Sequence, residues 1–219
     1  MGRRWRVIIA LACTLAALHA PGESVQAAPP RVVYLTFDDG PAAPYTAELL
    51  DILKEADAQV TFFQMGREAA AHPWILRRAA REGHALGNHS WSHPDLTTLE
   101  RSEIDAELRR TRAAQLGLAG PCFRPPYGRV NADVREVADA LGLRLVLWDE
   151  DVGDWVERPV TELVADLRAA TRPGVVILMH DGIGPRENNI AAVAQMIPWW
   201  KRQGYRLKAL PACLQGAED

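Results

Sequence analysis

The chain has 219 residues, of which 48% are hydrophobic, 25 are Lys or Arg and 28 are Asp or Glu. A chain of this length is typical of one domain with a full hydrophobic core. The net charge is −3 and there is no block of basic residues, which argues against binding to nucleic acid or to an anionic membrane surface.

The first 27 residues have the pattern of a secretory signal peptide. Three arginines precede an apolar stretch at residues 7–20, and small residues around Ala27 offer a cleavage site before Ala28. The stretch is too short for a good membrane span. Cys13 leaves a lipoprotein signal as the alternative, although Leu11 lies one position late for that motif. We therefore expect residues 28–219 to be an exported or cell-envelope domain with net charge −5. We also expect it to be a monomer without a membrane span.

From residue 32 onward, strand-like and helical patterns alternate. Apolar runs predict strands at residues 32–37, 59–65, 84–89, 122–124, 144–148, 175–179 and 205–210. Helical spacing of apolar residues predicts helices at residues 46–56, 72–82, 96–116, 130–141, 160–170 and 189–203. This alternation predicts an α/β fold with a parallel sheet. Because about seven βα units in this length is lean for a closed barrel, we expect an irregular (β/α) barrel with about seven parallel strands.

Two adjacent carboxylates, Asp38 and Asp39, end the first predicted strand and precede Gly40 and Pro41. Two neighbouring carboxylates are costly to desolvate unless a cation or a proton takes up the charge. Taken alone, the segment fits a polar turn equally well, with one Asp capping the next helix.

Other polar residues also follow predicted strands, at the face where parallel α/β barrels build their sites. These residues are His89, His93, Arg124, Asp149, Glu150, Asp151, Asp154 and His180. Two imidazoles four residues apart, together with one carboxylate, would bind a borderline divalent ion and leave positions open for water and substrate. An open site of this kind is typical of catalysis. We expect His72 and His84 to have structural or surface roles instead.

Five segments, taken together, resemble the polysaccharide deacetylases of carbohydrate esterase family 4. They are Thr36-Phe37-Asp38-Asp39-Gly40-Pro41, His89-Ser90-Trp91-Ser92-His93, Arg124-Pro125-Pro126-Tyr127-Gly128, Asp151-Val152-Gly153-Asp154-Trp155 and Leu178-Met179-His180. They occur in the family's order and cover nearly the whole of residues 32–210. Val152-Gly153 departs from the small hydroxyl residues that are frequent there.

The resemblance implies a role for each matching residue. Asp39, His89 and His93 would bind a divalent metal, usually Zn²⁺, with Co²⁺ or Ni²⁺ also accepted. Asp38 would be the general base, paired with Arg124, and His180 the general acid, oriented by Asp154. The backbone N–H of Tyr127 would stabilise the oxyanion. Trp155 and Leu178 would form the walls of an acetyl pocket.

The chemistry of amide hydrolysis independently requires such groups. An amide carbonyl is a poor electrophile, so a metal ion must polarise it and activate water. The tetrahedral oxyanion needs hydrogen-bond donors, and the departing amine needs a proton. A carboxylate on one side and an imidazolium on the other supply the two proton transfers.

The predicted function is removal of N-acetyl groups from an N-acetylglucosamine polysaccharide: peptidoglycan, chitin or chitooligosaccharide. The alternatives are an O-acetyl esterase acting on xylan and a catalytically silent glycan-binding module. Every catalytic position is filled, which argues against the second alternative.

Several residues keep two interpretations at this stage. Asp149 and Glu150 fit solvated charges at the end of a strand better than groups that shape a groove. Trp199 and Trp200 fit packing better than sugar binding. Arg186 fits both substrate contact and a solvent-exposed position. Cys122 and Cys213 can pair in an oxidising compartment, although nothing in the sequence brings them together.

Overall fold

The computed structural model describes residues 31–216. The predicted signal peptide, its cleavage site and the lipoprotein alternative lie outside these residues. None of the helices in the described part of the chain has the length and apolar character that a membrane span requires.

Within residues 31–216, eight parallel strands form one sheet. They are β1 (Arg31–Asp38), β2 (Thr61–Gln64), β3 (Ala85–Asn88), β4 (Cys122–Phe123), β5 (Arg144–Leu145), β6 (Glu150–Asp151), β7 (Val176–His180) and β8 (Tyr205–Leu207). Seven of them run in the order β5-β4-β3-β2-β1-β7-β6 as a curled half-barrel, and β8 pairs with the start of β1. The predicted irregular barrel of parallel strands is confirmed.

The strand β1 lies at the centre of this sheet. Its β-branched and aromatic side chains suit a strand that is covered on both faces, and Leu35 and Phe37 are almost completely buried. It pairs with β2 on one side and with β7 on the other, where Asp38 is in register with His180. This register places the carboxyl end of β1 beside the carboxyl end of β7.

Among the residues that the structure describes, seven helices cover the sheet. They are α1 (Tyr45–Glu55), α2 (Gly66–Ala71), α3 (Pro73–Arg81), α4 (Arg101–Ala114), α5 (Ala132–Ala140), α6 (Val160–Ala170) and α7 (Glu187–Arg202). Helix α2 was not predicted, because its six residues are too few to show a helical period before Pro73. The helix predicted at residues 96–116 is shorter at both ends. A 3₁₀ turn, Leu96–Thr98, precedes it, and the side chain of Glu103 accepts a hydrogen bond from the N–H of Glu100 (2.9 Å) where α4 begins.

The strand predicted at residues 144–148 is wrong in its second half. Strand β5 ends at Leu145, and Glu150–Asp151 form β6, which pairs with β7. Asp149 is exposed, as expected for a solvated charge, but it also pairs with β7: its N–H donates to Val176 O and its Oδ2 accepts from Val176 N (2.9 and 2.8 Å). Glu150 forms an ion pair with Arg172. Two charged residues give no apolar signal, which is why β6 could not be predicted.

The main hydrophobic core lies between the sheet and helices α1, α6 and α7, and a second cluster lies under α4 and α5. Trp200 is fully buried in the main core, and its Nε1 donates to Thr171 Oγ1 (2.8 Å). Trp199 packs against the same core. The interpretation of both tryptophans as packing residues is confirmed.

Cys122 and Cys213 form a disulfide, with an Sγ–Sγ distance of 2.06 Å across 91 residues of sequence. The bond joins β4 to the segment that follows β8. It connects the strand that leads into Arg124 to the C-terminal part of the domain.

Candidate active site

The ten residues predicted for the site come together at the carboxyl ends of the strands. Eight of them line one cleft of ≈ 510 Å³: Asp38, Asp39, His89, His93, Tyr127, Trp155, Leu178 and His180. The other two, Arg124 and Asp154, are completely buried beneath it. The face predicted from strand polarity is therefore the face that carries the cleft.

Asp39, His89 and His93 form a cluster that could bind a metal ion, with one ligand atom from each residue lying within 4.8 Å of the others. Asp39 Oδ1 lies 3.5 Å from His89 Nε2 and 3.2 Å from His93 Nε2. These are one carboxylate oxygen and two imidazole nitrogens, a donor set that suits zinc and similar divalent ions.

Two further observations fit a cation at this cluster. Asp39 Oδ1 is buried without a hydrogen-bond partner in the described residues, which is costly for a carboxylate oxygen unless a cation neutralises it. His89 Nδ1 lies 2.7 Å from Arg124 O. Because a carbonyl oxygen only accepts, Nδ1 carries a proton, and in the neutral ring the lone pair is on Nε2, the atom that faces Asp39.

The electrostatics of the cluster favour a charged carboxylate. Burial would raise the pKa of Asp39, but the neighbouring His89 and His93 rings lower it overall. Burial and the neighbouring His89 lower the pKa of His93. A neutral imidazole is the form that binds a metal.

The backbone that presents these ligands is unusual. Asp39 and His93 both have positive φ, 75° and 65°, a region that non-glycine residues seldom adopt. The chain at residues 39–40 also passes very close to residues 181–182. A Cβ on Gly40 would lie 2.3 Å from Asp181 Oδ2, and one on Gly182 would lie 2.2 Å from Asp39 O. Glycine is required at both positions because no side chain fits between the two segments.

The loop between His89 and His93 is held by helix α4. The carboxylate of Glu107 accepts hydrogen bonds from Trp91 N (2.8 Å), Ser92 N (2.9 Å) and Ser92 Oγ (2.9 Å). Inside the loop, Ser90 Oγ accepts from His93 N (3.1 Å). Glu107 therefore fixes the conformation of the segment that carries His93.

Asp38 is paired with a buried guanidinium. Arg124 Nη1 donates to Asp38 Oδ1 and to Thr36 Oγ1, both at 2.8 Å, and Nη2 donates to Leu147 O (3.0 Å). The Phe63 ring lies 4.1 Å from the guanidinium carbon. A buried arginine with a charge-assisted bond to a carboxylate holds that carboxylate in a fixed position.

His180 is paired with Asp154. His180 Nδ1 lies 2.8 Å from Asp154 Oδ1, which leaves Nε2 available to a substrate. The other oxygen of Asp154 accepts from His180 N (2.8 Å) and from Asn189 Nδ2 (2.7 Å). Burial would lower the pKa of His180, but the hydrogen bond and charge of Asp154 raise it to about 9. His180 is therefore set to carry a proton at neutral pH.

The walls of the cleft are apolar and aromatic. Tyr127 has φ 60° and packs the edge of its ring against His93, with the ring centroids 4.6 Å apart. Trp155 and Tyr127 are each 61% exposed, while Leu178 is buried at the base. Exposed aromatic groups around buried charged groups are typical of a ligand-binding cleft.

Comparison with known proteins agrees with this geometry. The sequence pattern of the family described as Polysaccharide deacetylase matches residues 26–146, more than half of the chain. A chitooligosaccharide deacetylase from Rhizobium leguminosarum bv. trifolii is 36% identical over 198 residues, which span 83% of this chain and 91% of the relative. The chain belongs to the polysaccharide deacetylase family.

Two other members of this family are similar. A peptidoglycan-N-acetylglucosamine deacetylase from Bacillus cereus is 31% identical over 84% of this chain and 89% of its own length. A family 4 carbohydrate esterase from Streptomyces lividans, solved in complex with acetate, is 35% identical with a TM-score of 0.75, over 81% of this chain and 91% of that one. The chain is therefore similar to hydrolytic deacetylases in both sequence and fold.

The sequence did not predict some residues that build the site of this family member. Glu107 and Asn189 lie on helices, where the sequence shows only that they are polar, and Asp181 follows His180 without any pattern of its own. Asp181 is buried and accepts from Thr46 Oγ1 (2.6 Å). Burial, with the nearby Asp39 and Asp38 charges, raises its pKa to about 7 despite the Thr46 hydrogen bond.

Arg186 is not solvent-exposed, which excludes one of its two earlier interpretations, and its position at the cleft leaves substrate contact as a prediction. It borders the cleft but is almost completely buried, and its guanidinium donates to three backbone carbonyls: Gly182 O (2.7 Å), Asp154 O (2.9 Å) and Ile183 O. It therefore joins the loop after β7 to the loop that carries Asp154 and Trp155.

Proposed function

We propose that this protein removes N-acetyl groups from N-acetylglucosamine residues of a glycan, either a chitooligosaccharide or peptidoglycan, with the help of a divalent metal ion. The observation that supports it best is the meeting of three arrangements in one cleft. These are the Asp39–His89–His93 cluster, a carboxylate paired with Arg124, and an imidazole paired with Asp154.

The metal, which we take to be Zn²⁺, would be bound by Asp39, His89 and His93. When bound, it would polarise the acetyl carbonyl and make water a better nucleophile. The proposed dependence on a metal is supported by the buried Asp39 Oδ1 without a partner and by the hydrogen bond from His89 Nδ1 to Arg124 O, which leaves Nε2 facing Asp39.

The protein's own groups supply the proton transfers. Asp38, held in place by Arg124, takes a proton from the attacking water, whose oxygen bonds to the acetyl carbon. The Tyr127 N–H donates to the carbonyl oxygen as it gains negative charge. His180 then gives its proton to the amide nitrogen as the C–N bond breaks, and the products are acetate and a free amine.

The state of His180 favours an amide over an ester as the substrate. An amine is a poor leaving group unless it is protonated, and Asp154 raises the pKa of His180 to about 9, which keeps that proton in place at neutral pH. Trp155 and Leu178 would contact the acetyl methyl group.

Acetate release distinguishes the candidate functions. Purified protein should release acetate from chitooligosaccharide or from peptidoglycan, lose this activity in a chelator and recover it when Zn²⁺ is added. Release from acetylxylan alone would favour an O-acetyl esterase. Binding of N-acetylated glycans without any release would show a catalytically silent module.

We also propose that the domain is exported, as the N-terminal pattern predicts. The disulfide between Cys122 and Cys213 supports this, because such bonds persist in oxidising compartments. Mass spectrometry of the protein from intact cells should find an N-terminus at Ala28. A protein that keeps residues 1–27 in the cytoplasm would contradict export.

A further inference from the structure

Residues with positive φ are concentrated around the cleft. In the described part of the chain, seven non-glycine residues have positive φ, and four of them line the cleft: Asp39, His93, Tyr127 and Ile183. The first three have roles in the proposed reaction. Backbone conformations of this kind persist at functional sites because the surrounding structure fixes them. Ile183 is the fourth residue of this set, and the reaction gives it no role.

Ile183 is the most unusual of the four. A β-branched side chain at positive φ is a true outlier, since Asn, Asp or Gly would adopt the same backbone with less strain. Packing in the core does not explain its presence, because the side chain is 48% exposed. An apolar, strained and half-exposed side chain at the edge of a cleft is therefore placed where a ligand can cover it.

Arg186 fixes Ile183 in this position. Its guanidinium donates to Ile183 O and Gly182 O on one side and to Asp154 O on the other. It has no carboxylate within ion-pair distance in residues 31–216, so a buried charge is satisfied by backbone carbonyls alone. These contacts hold the loop of Ile183 against the loop of Trp155. The exposed side chains of Ile183 and Trp155 thus belong to one wall of the cleft, which the contacts of Arg186 hold together.

We propose that Ile183 is a substrate-contact residue, whose side chain packs on the apolar C–H face of a sugar ring next to the reacting N-acetyl group. This inference rests on the proposed function, since it takes an N-acetylglucosamine oligomer as the ligand. Ile183 would set the affinity for the sugar chain and would not take part in the proton transfers of Asp38 and His180.

The chain offers a matched control. Leu116, after helix α4, is also aliphatic, has φ 56° and is 47% exposed, but it does not line the cleft. Ile183→Asn and Leu116→Asn both remove an exposed aliphatic side chain and both keep a residue that tolerates positive φ. Neither change should lower the melting temperature, because both relieve backbone strain.

Stopped-flow tryptophan fluorescence tests the proposal on the zinc-loaded protein, with chitopentaose as the probe. Trp148 and Trp155 line the cleft, so the fluorescence change before turnover reports binding. Ile183→Asn should raise the Kd for chitopentaose about tenfold, the effect of losing one apolar contact. Leu116→Asn should leave the Kd unchanged.

An unchanged Kd in Ile183→Asn, an equal increase in both variants, or a wild-type protein that does not bind chitopentaose would overturn the proposal. Failure of the proposed function would look different: wild type would bind chitopentaose without releasing acetate. Ile183→Asn would still weaken that binding if the contact exists.

Discussion

The two sides of the cleft use the same residue types for opposite purposes. On the side of β1 and β3, one carboxylate, Asp39, faces two imidazoles: the pKa values of Asp39 and His93 are lowered, while the neighbouring Asp38 and Asp39 raise the pKa of His89 despite its burial. On the side of β7, Asp154 faces only His180 and raises its pKa to about 9. The first arrangement favours an ionised Asp39 between two imidazoles, and the second favours a proton on the His180 ring.

The surroundings of the two sides explain the difference. His89 donates its Nδ1 proton to a neutral carbonyl, so Nε2 is free to bind a cation, whereas His180 donates Nδ1 to a buried carboxylate. An Asp–His contact therefore does not by itself show whether a site binds a metal or supplies a proton. Whether the site binds a metal or supplies a proton depends on the number of imidazoles and on the hydrogen-bond partner of Nδ1.

The largest effect should come from removing a metal ligand. Asp39→Ala or His93→Ala should lose bound zinc and lower kcat/KM at least about a thousandfold, because the carbonyl is no longer polarised. Elemental analysis of the purified variants measures the zinc. His72→Ala is the control, since His72 contacts Glu68 O outside the cleft. Full zinc occupancy in Asp39→Ala and His93→Ala would refute the ligand assignment.

Loosening the support of the metal side should have a smaller effect. Glu107→Ala removes the acceptor for two N–H groups and one hydroxyl of the loop that carries His93. Zinc affinity should fall roughly 10–100-fold, as is usual when a group that orients ligands is lost. Competition with a chelator of known affinity measures it. Asp105→Ala, which removes only an exposed ion pair on the same helix, should leave the affinity unchanged.

On the acid side, Asp154→Asn should change the pH dependence. Asp154 raises the pKa of His180 to about 9, so its loss lowers that pKa toward 6.5 or below, and the protonated ring disappears at lower pH. The alkaline limb of kcat/KM should move to lower pH, with a loss of roughly 30-fold at pH 8 and little loss at pH 6.

Zinc content should not change in Asp154→Asn, which separates this effect from loss of the metal. Asp166→Asn, an exposed carboxylate paired with Arg158, is the control for the charge change. An alkaline limb that stays in place in Asp154→Asn would show that His180 is not the acid.

The smallest effect on the site should come from the disulfide, which lies near Arg124 on the metal side only. Replacing Cys122 and Cys213 with Ser should lower stability by about 4–5 kcal/mol in the chain-entropy model and leave the pH profile unchanged at 25 °C. Calorimetry measures the change in stability, and the pH dependence of kcat/KM shows whether the pH profile changes. Thiol titration of denatured protein should find two additional thiols after reduction; the same count before and after would contradict the bond.

The sequence was most informative where the chain is strongly apolar. The runs that became β1 and β7 identified the centre of the sheet, and the motifs after them located Asp38, Asp39 and His180. Strands β4, β5 and β6 have two residues each, too few to show a period of two, and Glu150–Asp151 pair for reasons of tertiary structure.

The residues that hold the site in place could not be predicted, because their contacts join parts of the chain that are distant in sequence. Glu107 lies fifteen residues from Ser92 in sequence, and Arg186 contacts Asp154 O across 32 residues. Their roles depend on how loops and helices meet in space. The proposed ligands and proton carriers lie in short local motifs, so the sequence predicted them. The groups that hold them in place lie outside such motifs.

The contrast between the two sides is tested most directly by NMR of the histidine ring nitrogens at pH 7, before and after addition of zinc. We predict that zinc shifts the Nε2 signals of His89 and His93 to those of metal-bound neutral rings. His180 should remain protonated on both nitrogens throughout. A neutral His180 at this pH, or zinc bound to His180 in place of His89 and His93, would contradict the account.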